Sequence, residues 1–124
     1  IFSLMLGDYE MTDEVYVTSV LIRAQHPPTT FEELLERIFA TNEKSAASAF
    51  TLLNKIKKGN FQDSGWDEFC KEVSITQAQY HLIIRKLRGA GLISKVDGVW
   101  ILQEDFSEYM KECSKRFDTW RKQV

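Results

Sequence analysis

The sequence predicts a mainly α-helical fold with one small β-hairpin, and three local signals carry that prediction. A short amphipathic segment, a tight turn and a second helix follow one another between Trp66 and Arg88. Two β-branched runs then flank Asp97-Gly98, the strongest short hairpin signal a sequence offers. Finally, an apolar seam in steps of four and three runs from Phe106 to Val124. The chain divides into an N-terminal extension (1–43), expected to be helical and packed on the core, a central domain (44–103) and a C-terminal helix (104–124).

At the front, Phe2, Leu4 and Leu6 alternate, as in a short strand or an arm. The apolar start Ile1–Leu6 is short and has no basic residues before it, unlike a cut secretory signal. Position 1 is not Met, so the chain reads as trimmed or processed. Thr12–Gln25 gives conflicting signals. Val15, Val17, Val20 and Ile22 favour a strand, whereas Thr12-Asp13-Glu14 looks like a helix start, and the reading adopted is helix. His26-Pro27-Pro28-Thr29-Thr30 breaks the chain.

Thr30 with Glu33 forms a capping-box pattern, and Phe31, Leu34, Leu35, Ile38 and Phe39 recur at helical spacing. This helix should end near Thr41-Asn42. The next begins at Asn42 or Ser45 and carries the stripe Ala46, Ala49, Phe50, Leu53 and Ile56. Lys55, Lys57 and Lys58 suit its C-terminal dipole, and Gly59 ends it. Ser64 can cap a short helix whose inward face is Trp66, Phe69, Cys70 and Val73. Ile75 plugs the turn. Thr76 caps the following helix, Gln79 reaches back to it, and Tyr80, Ile84 and Leu87, helped by Ile83, form its core stripe through Arg88.

Gly89-Ala90-Gly91 stops that helix, and the hairpin occupies Leu92–Leu102. A two-residue turn pairs Val96 with Val99 and sets Lys95 beside Trp100, where a cation–π contact is plausible. Trp66 reads as core, while Trp100, on the hairpin, fits either core or a stacking surface. The last helix starts at Glu104 and presents Phe106, Met110, Cys113, Phe117, Trp120 and Val124 as a narrow seam.

Hydrophobic content of 44% suffices for one modest core supplemented by an oligomer interface. No apolar run approaches the roughly 20 residues of a membrane helix, and the two cysteines, read as reduced thiols, lead to the expectation of a cytoplasmic protein. Cys70 and Cys113 fall at apolar helical positions and read as reduced, buried thiols. With His26 and His81 they show no metal-ligand spacing. The net charge of -2 conceals an asymmetry: residues 1–43 hold eight acids and two bases, whereas residues 44–103 hold nine bases and five acids. A basic middle permits nucleic-acid binding, and the acidic front suits a protein partner.

The stretch from Ile75 to Ile93, with its ending Leu87-Arg88-Gly89-Ala90-Gly91-Leu92-Ile93, resembles the recognition helix of winged helix-turn-helix regulators and their stop before the wing. The tail from Trp100 to Trp120 resembles the post-wing helix of archaeal members. The likeness covers about residues 45–103, and nothing comparable covers 1–43. It implies a winged helix-turn-helix fold, with helix 76–88 in the major groove of double-stranded DNA and the wing, 92–102, on the backbone. The outward-facing candidates are Thr76, Gln77, Gln79, His81, Arg85, Lys86 and Arg88, with Lys95 on the wing. Leu82 departs from the polar pattern of that face and leaves a protein contact open.

The function expected is therefore that of a sequence-specific transcriptional regulator, a homodimer through Phe106, Met110, Cys113, Phe117 and Trp120. The alternative is a winged-helix interaction module in a larger transcription or replication assembly. No nucleophile–base–acid set, glycine-rich phosphate loop or cofactor motif points to an enzyme.

Overall fold

The computed structural model describes residues 17–40 and 42–124. Five helices and a small antiparallel sheet follow in the order α1 (Phe31–Ile38), α2 (Glu43–Lys58), β1 (Phe61–Gln62), α3 (Trp66–Val73), α4 (Gln77–Gly89), β2 (Ile93–Val96), β3 (Val99–Leu102) and α5 (Asp105–Arg121). The fold is mainly α with a three-stranded sheet of order β1-β3-β2. The expected strand or arm at Phe2, Leu4 and Leu6 lies outside the described residues.

The helix expected over Thr12–Gln25 is not formed in its described part. Residues 17–23 are irregular and a turn follows. Val17, Thr18, Val20 and Ile22 lose side-chain freedom in a helix, and little packing compensates. Val20 rests on the core, while Val17 and Ile22 are exposed. The segment runs beside α1, where the Leu21 N–H donates to the Arg37 carbonyl at 3.3 Å.

In α1, Thr30 Oγ1 accepts from the Glu33 N–H at 3.1 Å. The Glu33 carboxylate returns one residue earlier than the box pattern predicts, accepting from the N–H and hydroxyl of Thr29. The helix stops at Ile38, short of the expected Thr41-Asn42, because Ala40 takes a left-handed φ of 53°. Asn42 then caps α2 by accepting from the Ser45 N–H at 3.1 Å. Beyond the expected stripe, α2 also buries Leu52 and Ser48, while Phe50 is half-buried. Leu35, Ile38 and Phe39 of the α1 region share one buried cluster with Leu52, Leu53 and Ile56 of α2.

Ser64 does not cap α3. It sits in a 3-10 turn, Asp63–Gly65, and Gly65 occupies the cap position without a side-chain bond. The reason is β1, which pairs Phe61 with Trp100 and holds the chain extended up to that turn. α3 buries Phe69 and Cys70, ends on left-handed Ser74, and passes its Cys70 carbonyl to the Ile75 N–H at 3.0 Å.

The hairpin forms in the expected register, Val96 opposite Val99 and Lys95 opposite Trp100. Asp97 and Gly98 both have positive φ, 52° and 78°, as a two-residue hairpin turn with matching twist requires. Gly91, at φ 81°, is a second constrained position. A Cβ there would lie 2.9 Å from both Asp105 Cβ and the Phe106 nitrogen. This close approach seats α5, whose Phe106 N–H donates to the Gly91 carbonyl at 3.0 Å. No residue of α5 is buried, although Met110 is half-buried and, with Tyr109, lines a cavity shared with Val17, Val20 and Gly91. Cys113, expected to be buried, is therefore exposed, whereas Cys70 is buried as expected. Among the described residues, no helix is long and apolar enough to cross a membrane.

Candidate nucleic-acid interface

The site is built on α4 and the hairpin beside it. Thr76 and Gln79 form a complete capping box. Thr76 Oγ1 accepts from the Gln79 N–H at 3.1 Å, and Gln79 Oε1 accepts from the Thr76 N–H at 2.8 Å. This fixes where the helix starts, and the apolar spacing fixes how it is rotated. Tyr80, Ile83, Ile84 and Leu87 are buried, which turns Gln77, Ala78, His81, Leu82 and Arg85 to solvent.

The expected contact residues fall into three groups. Gln77, His81 and Arg85 project freely, with Gln77 Nε2 3.4 Å from His81 Nε2. Thr76 and Gln79 are also exposed, but one oxygen of each serves the cap. The Thr76 hydroxyl proton and the Gln79 amide N–H groups stay available to a ligand. Lys86 leans toward α1, its ammonium 5.9 Å from the Phe39 ring centre. Arg88 and Lys95 lie over the same ring, Trp100, at 5.9 and 5.2 Å. Trp100 is only 1% exposed, so it is core and offers no stacking surface.

Sequence reasoning missed Asp63. Its Oδ1 accepts from Trp100 Nε1 at 3.0 Å and from the Tyr80 hydroxyl at 3.4 Å, while Oδ2 meets Lys95 Nζ at 3.3 Å. Its own N–H donates to the Gly98 carbonyl at 2.8 Å. One carboxylate thus links the turn after β1 to α4 and to both hairpin strands. Burial first, then the Asp63 charge, pushes the Tyr80 phenol far above its ordinary range, so it stays a neutral donor. No local pattern marks Asp63, because its partners stand 17, 32 and 37 residues away.

Two further features shape the outward surface. Leu82, 46% exposed, stands at the middle of the free face of α4, with Ala78 a turn before it. Lys55 pairs with Glu72 at 2.9 Å, so its charge is offset, whereas Lys57 and Lys58 remain exposed. Of the seam residues, Phe106 is turned onto the core and Met110 is half-buried, while Cys113, Phe117 and Trp120 are exposed. Among the described residues, no three of His, Cys, Asp or Glu come together to hold a metal ion.

Comparison with curated proteins and with solved structures gave no match. A family model described as an archaeal family matches residues 27–124, from the proline segment through α5, and the chain belongs to that archaeal family.

Proposed function

We propose that this protein is a winged helix-turn-helix regulator of transcription that binds double-stranded DNA in the cytoplasm. The observation that carries the reading is the placement of Gln77, His81 and Arg85 on the free face of α4, beside a hairpin whose Trp100 ring lies under Arg88 of α4 and Lys95 of β2. Helix α4 has the dimensions to enter a major groove, where Gln and Arg side chains read base edges. The β2–β3 hairpin acts as the wing, and Lys95 approaches backbone phosphates. The helix N-terminus at Thr76 adds backbone N–H groups suited to a phosphate oxygen. The acidic segment 1–43 is reserved for a protein contact. The activity is binding, with no chemical step and no cofactor.

Titration of a mixed-sequence duplex, followed by fluorescence anisotropy across a salt series, tests this reading. Arg85→Ala combined with Lys86→Ala should weaken binding and reduce the slope of log K against log salt by up to about two, since each lost phosphate contact removes about 0.9. Unchanged affinity in the double variant would refute the assignment of α4 as the contact helix.

A second reading has its own observation. Ala78 and Leu82 place an apolar strip where base-reading side chains would be densest. A winged helix used as a protein-binding scaffold in a transcription or replication assembly would present such a strip. Absence of any duplex binding by the wild-type chain at low salt would favour this reading. Leu82→Lys separates the two further, since it should strengthen a DNA contact and abolish an apolar protein contact.

A further inference from the structure

A cavity of about 510 Å³ lies where the end of α4, the start of β2 and the first turns of α5 meet the segment around Val20. Sites for small organic molecules commonly measure about 300–1,000 Å³ and have mostly apolar walls. Here Val20, Ile93, Phe106 and Met110 supply those walls. Ile93 is buried and the other three are half-buried. Tyr109 borders the cavity and remains largely exposed. Arg88 borders it too, but its guanidinium lies over the Trp100 ring at 5.9 Å and is not free.

The polar groups left along this cavity lack donors. As α4 ends, the N–H groups of Ala90, Gly91 and Leu92 donate to the carbonyls of Lys86, Arg88 and Leu87, each at 3.0 Å. The carbonyls of Gly89 and Ala90 are passed over, and no backbone N–H of the described residues reaches them. Both residues are half-buried at the negative end of the helix dipole. Asp105 adds a carboxylate that pairs with no base among the described residues. Thr18 also borders the cavity, and its buried hydroxyl oxygen has no partner. The Ser94 oxygen, by contrast, already accepts from Gln103 Nε2 at 2.6 Å. A carboxylate and two unpaired carbonyls favour a ligand that brings N–H donors and positive charge. An organic acid would meet like charge there.

We propose that this cavity binds a small amphipathic amine, with its ammonium group against Asp105 and the end of α4 and its apolar body among Ile93, Phe106 and Met110. The Phe106 and Tyr109 rings add faces that attract a cation. Binding of the amine does not depend on whether α4 binds DNA. Under the DNA-binding reading the amine is an effector, because Gly91, which joins α4 to α5, borders the same cavity. That consequence rests on the proposed function; the site does not.

Amide NMR of the isotope-labelled full chain tests the site, with phenethylamine, hexylamine, phenylacetate and 2-phenylethanol as probes at neutral pH. Both amines should shift the Gly91, Ser94 and Phe106 amide resonances saturably, with Kd on the order of 1 mM, as suits molecules this small. Phenylacetate, of similar size and opposite charge, should bind at least about tenfold more weakly than phenethylamine. Asp105→Asn should weaken both amines by about tenfold and leave 2-phenylethanol unchanged, since only the charge is lost. Ala90→Phe should fill the cavity and remove all binding, with helical circular dichroism unchanged. The absence of saturable shifts with either amine up to about 20 mM would overturn the proposal. So would tighter binding of phenylacetate, or full amine affinity in Asp105→Asn. Shifts at these amides that follow protein concentration instead of amine would place a second copy of the chain in the cavity, and would overturn it equally. No duplex is present in these titrations, so their failure leaves the DNA-binding reading to its own test.

Discussion

Asp63 offers the most demanding test of how the hairpin is held. Asp63→Ala removes the acceptor of the Trp100 indole N–H at 3.0 Å, of the Tyr80 hydroxyl at 3.4 Å, and the counterion of Lys95. Trp100 and Tyr80 are each 1% exposed, so water does not reach the abandoned donors freely. A buried donor left unpaired costs about 1–3 kcal/mol, and the longer tyrosine bond belongs at the low end. The Lys95 pair is 37 and 40% exposed on its two sides and contributes at most about 1 kcal/mol. The expected loss is therefore about 2–5 kcal/mol, a large part of the roughly 5–15 kcal/mol that holds a domain together. Asp63→Asn keeps one carbonyl oxygen for the two rings and should lose only about 1 kcal/mol. Urea unfolding followed by tryptophan fluorescence measures both values, with an unchanged m-value as the control for two-state behaviour. Only one of the three indole N–H resonances should move on substitution. Equal stability of the Ala and Asn variants would refute the carboxylate as a hydrogen-bond hub, because the two differ mainly in the acceptor they leave behind.

Other expected outcomes follow from local geometry. Gly91→Ala should destabilise by at least about 2 kcal/mol, since φ of 81° is costly for an L-residue and the new Cβ would press on the backbone of α5 at 2.9 Å. A chemical denaturation midpoint close to wild type would contradict it. Glu33 has its carboxyl held below the usual value of 4.5, first by the Thr29 N–H and then by the Thr29 hydroxyl. A depressed folded-state pKa contributes stability above the unfolded value, and that stability is lost as pH falls through the folded value. Glu33→Gln should thus be less stable than wild type at neutral pH, with the gap closing below 4.5, as read from denaturation midpoints across an acid series. A gap that widened in acid would reverse the assignment.

What the sequence revealed was decided within a few residues, and what it hid was decided at a distance. The Thr76–Gln79 box and the Asp97-Gly98 turn need only their own side chains and backbone, so both were legible and both formed. The apolar spacing of Tyr80, Ile84 and Leu87 also fixed which side of α4 is free. β1 was not legible, because two residues show no period and Phe61 becomes a strand residue only opposite Trp100. Leu52 escaped the predicted stripe because α2 buries a broader face than a single seam. Thr12-Asp13-Glu14 gave a start signal that the following β-branched residues did not sustain in their described part. Likewise, apolar spacing placed Cys113 on a seam but could not say what covers that seam.

The burial of Trp100 changes how the hairpin is to be understood. An exposed tryptophan there would make the hairpin a mobile flap with a stacking face. Instead the ring is core, its N–H is fixed to Asp63, and the Lys95 and Arg88 cations lie over it. The hairpin is therefore held to α4 through Tyr80 and Asp63, and α4 is joined to α5 through Gly91, where no side chain fits. One chain of contacts joins the helix, the hairpin and the first turn of α5, and we expect these parts to move as one rigid unit. Rigidity has a functional consequence under the proposed reading, because ordering a contact surface in advance removes the cost of ordering it on binding. If two copies pair through α5, the separation of their α4 helices follows from these joints, and half-site spacing becomes a property of the fold. A binding site whose half-sites could be moved by half a helical turn without loss of affinity would contradict that rigidity, even if every residue contact proved correct.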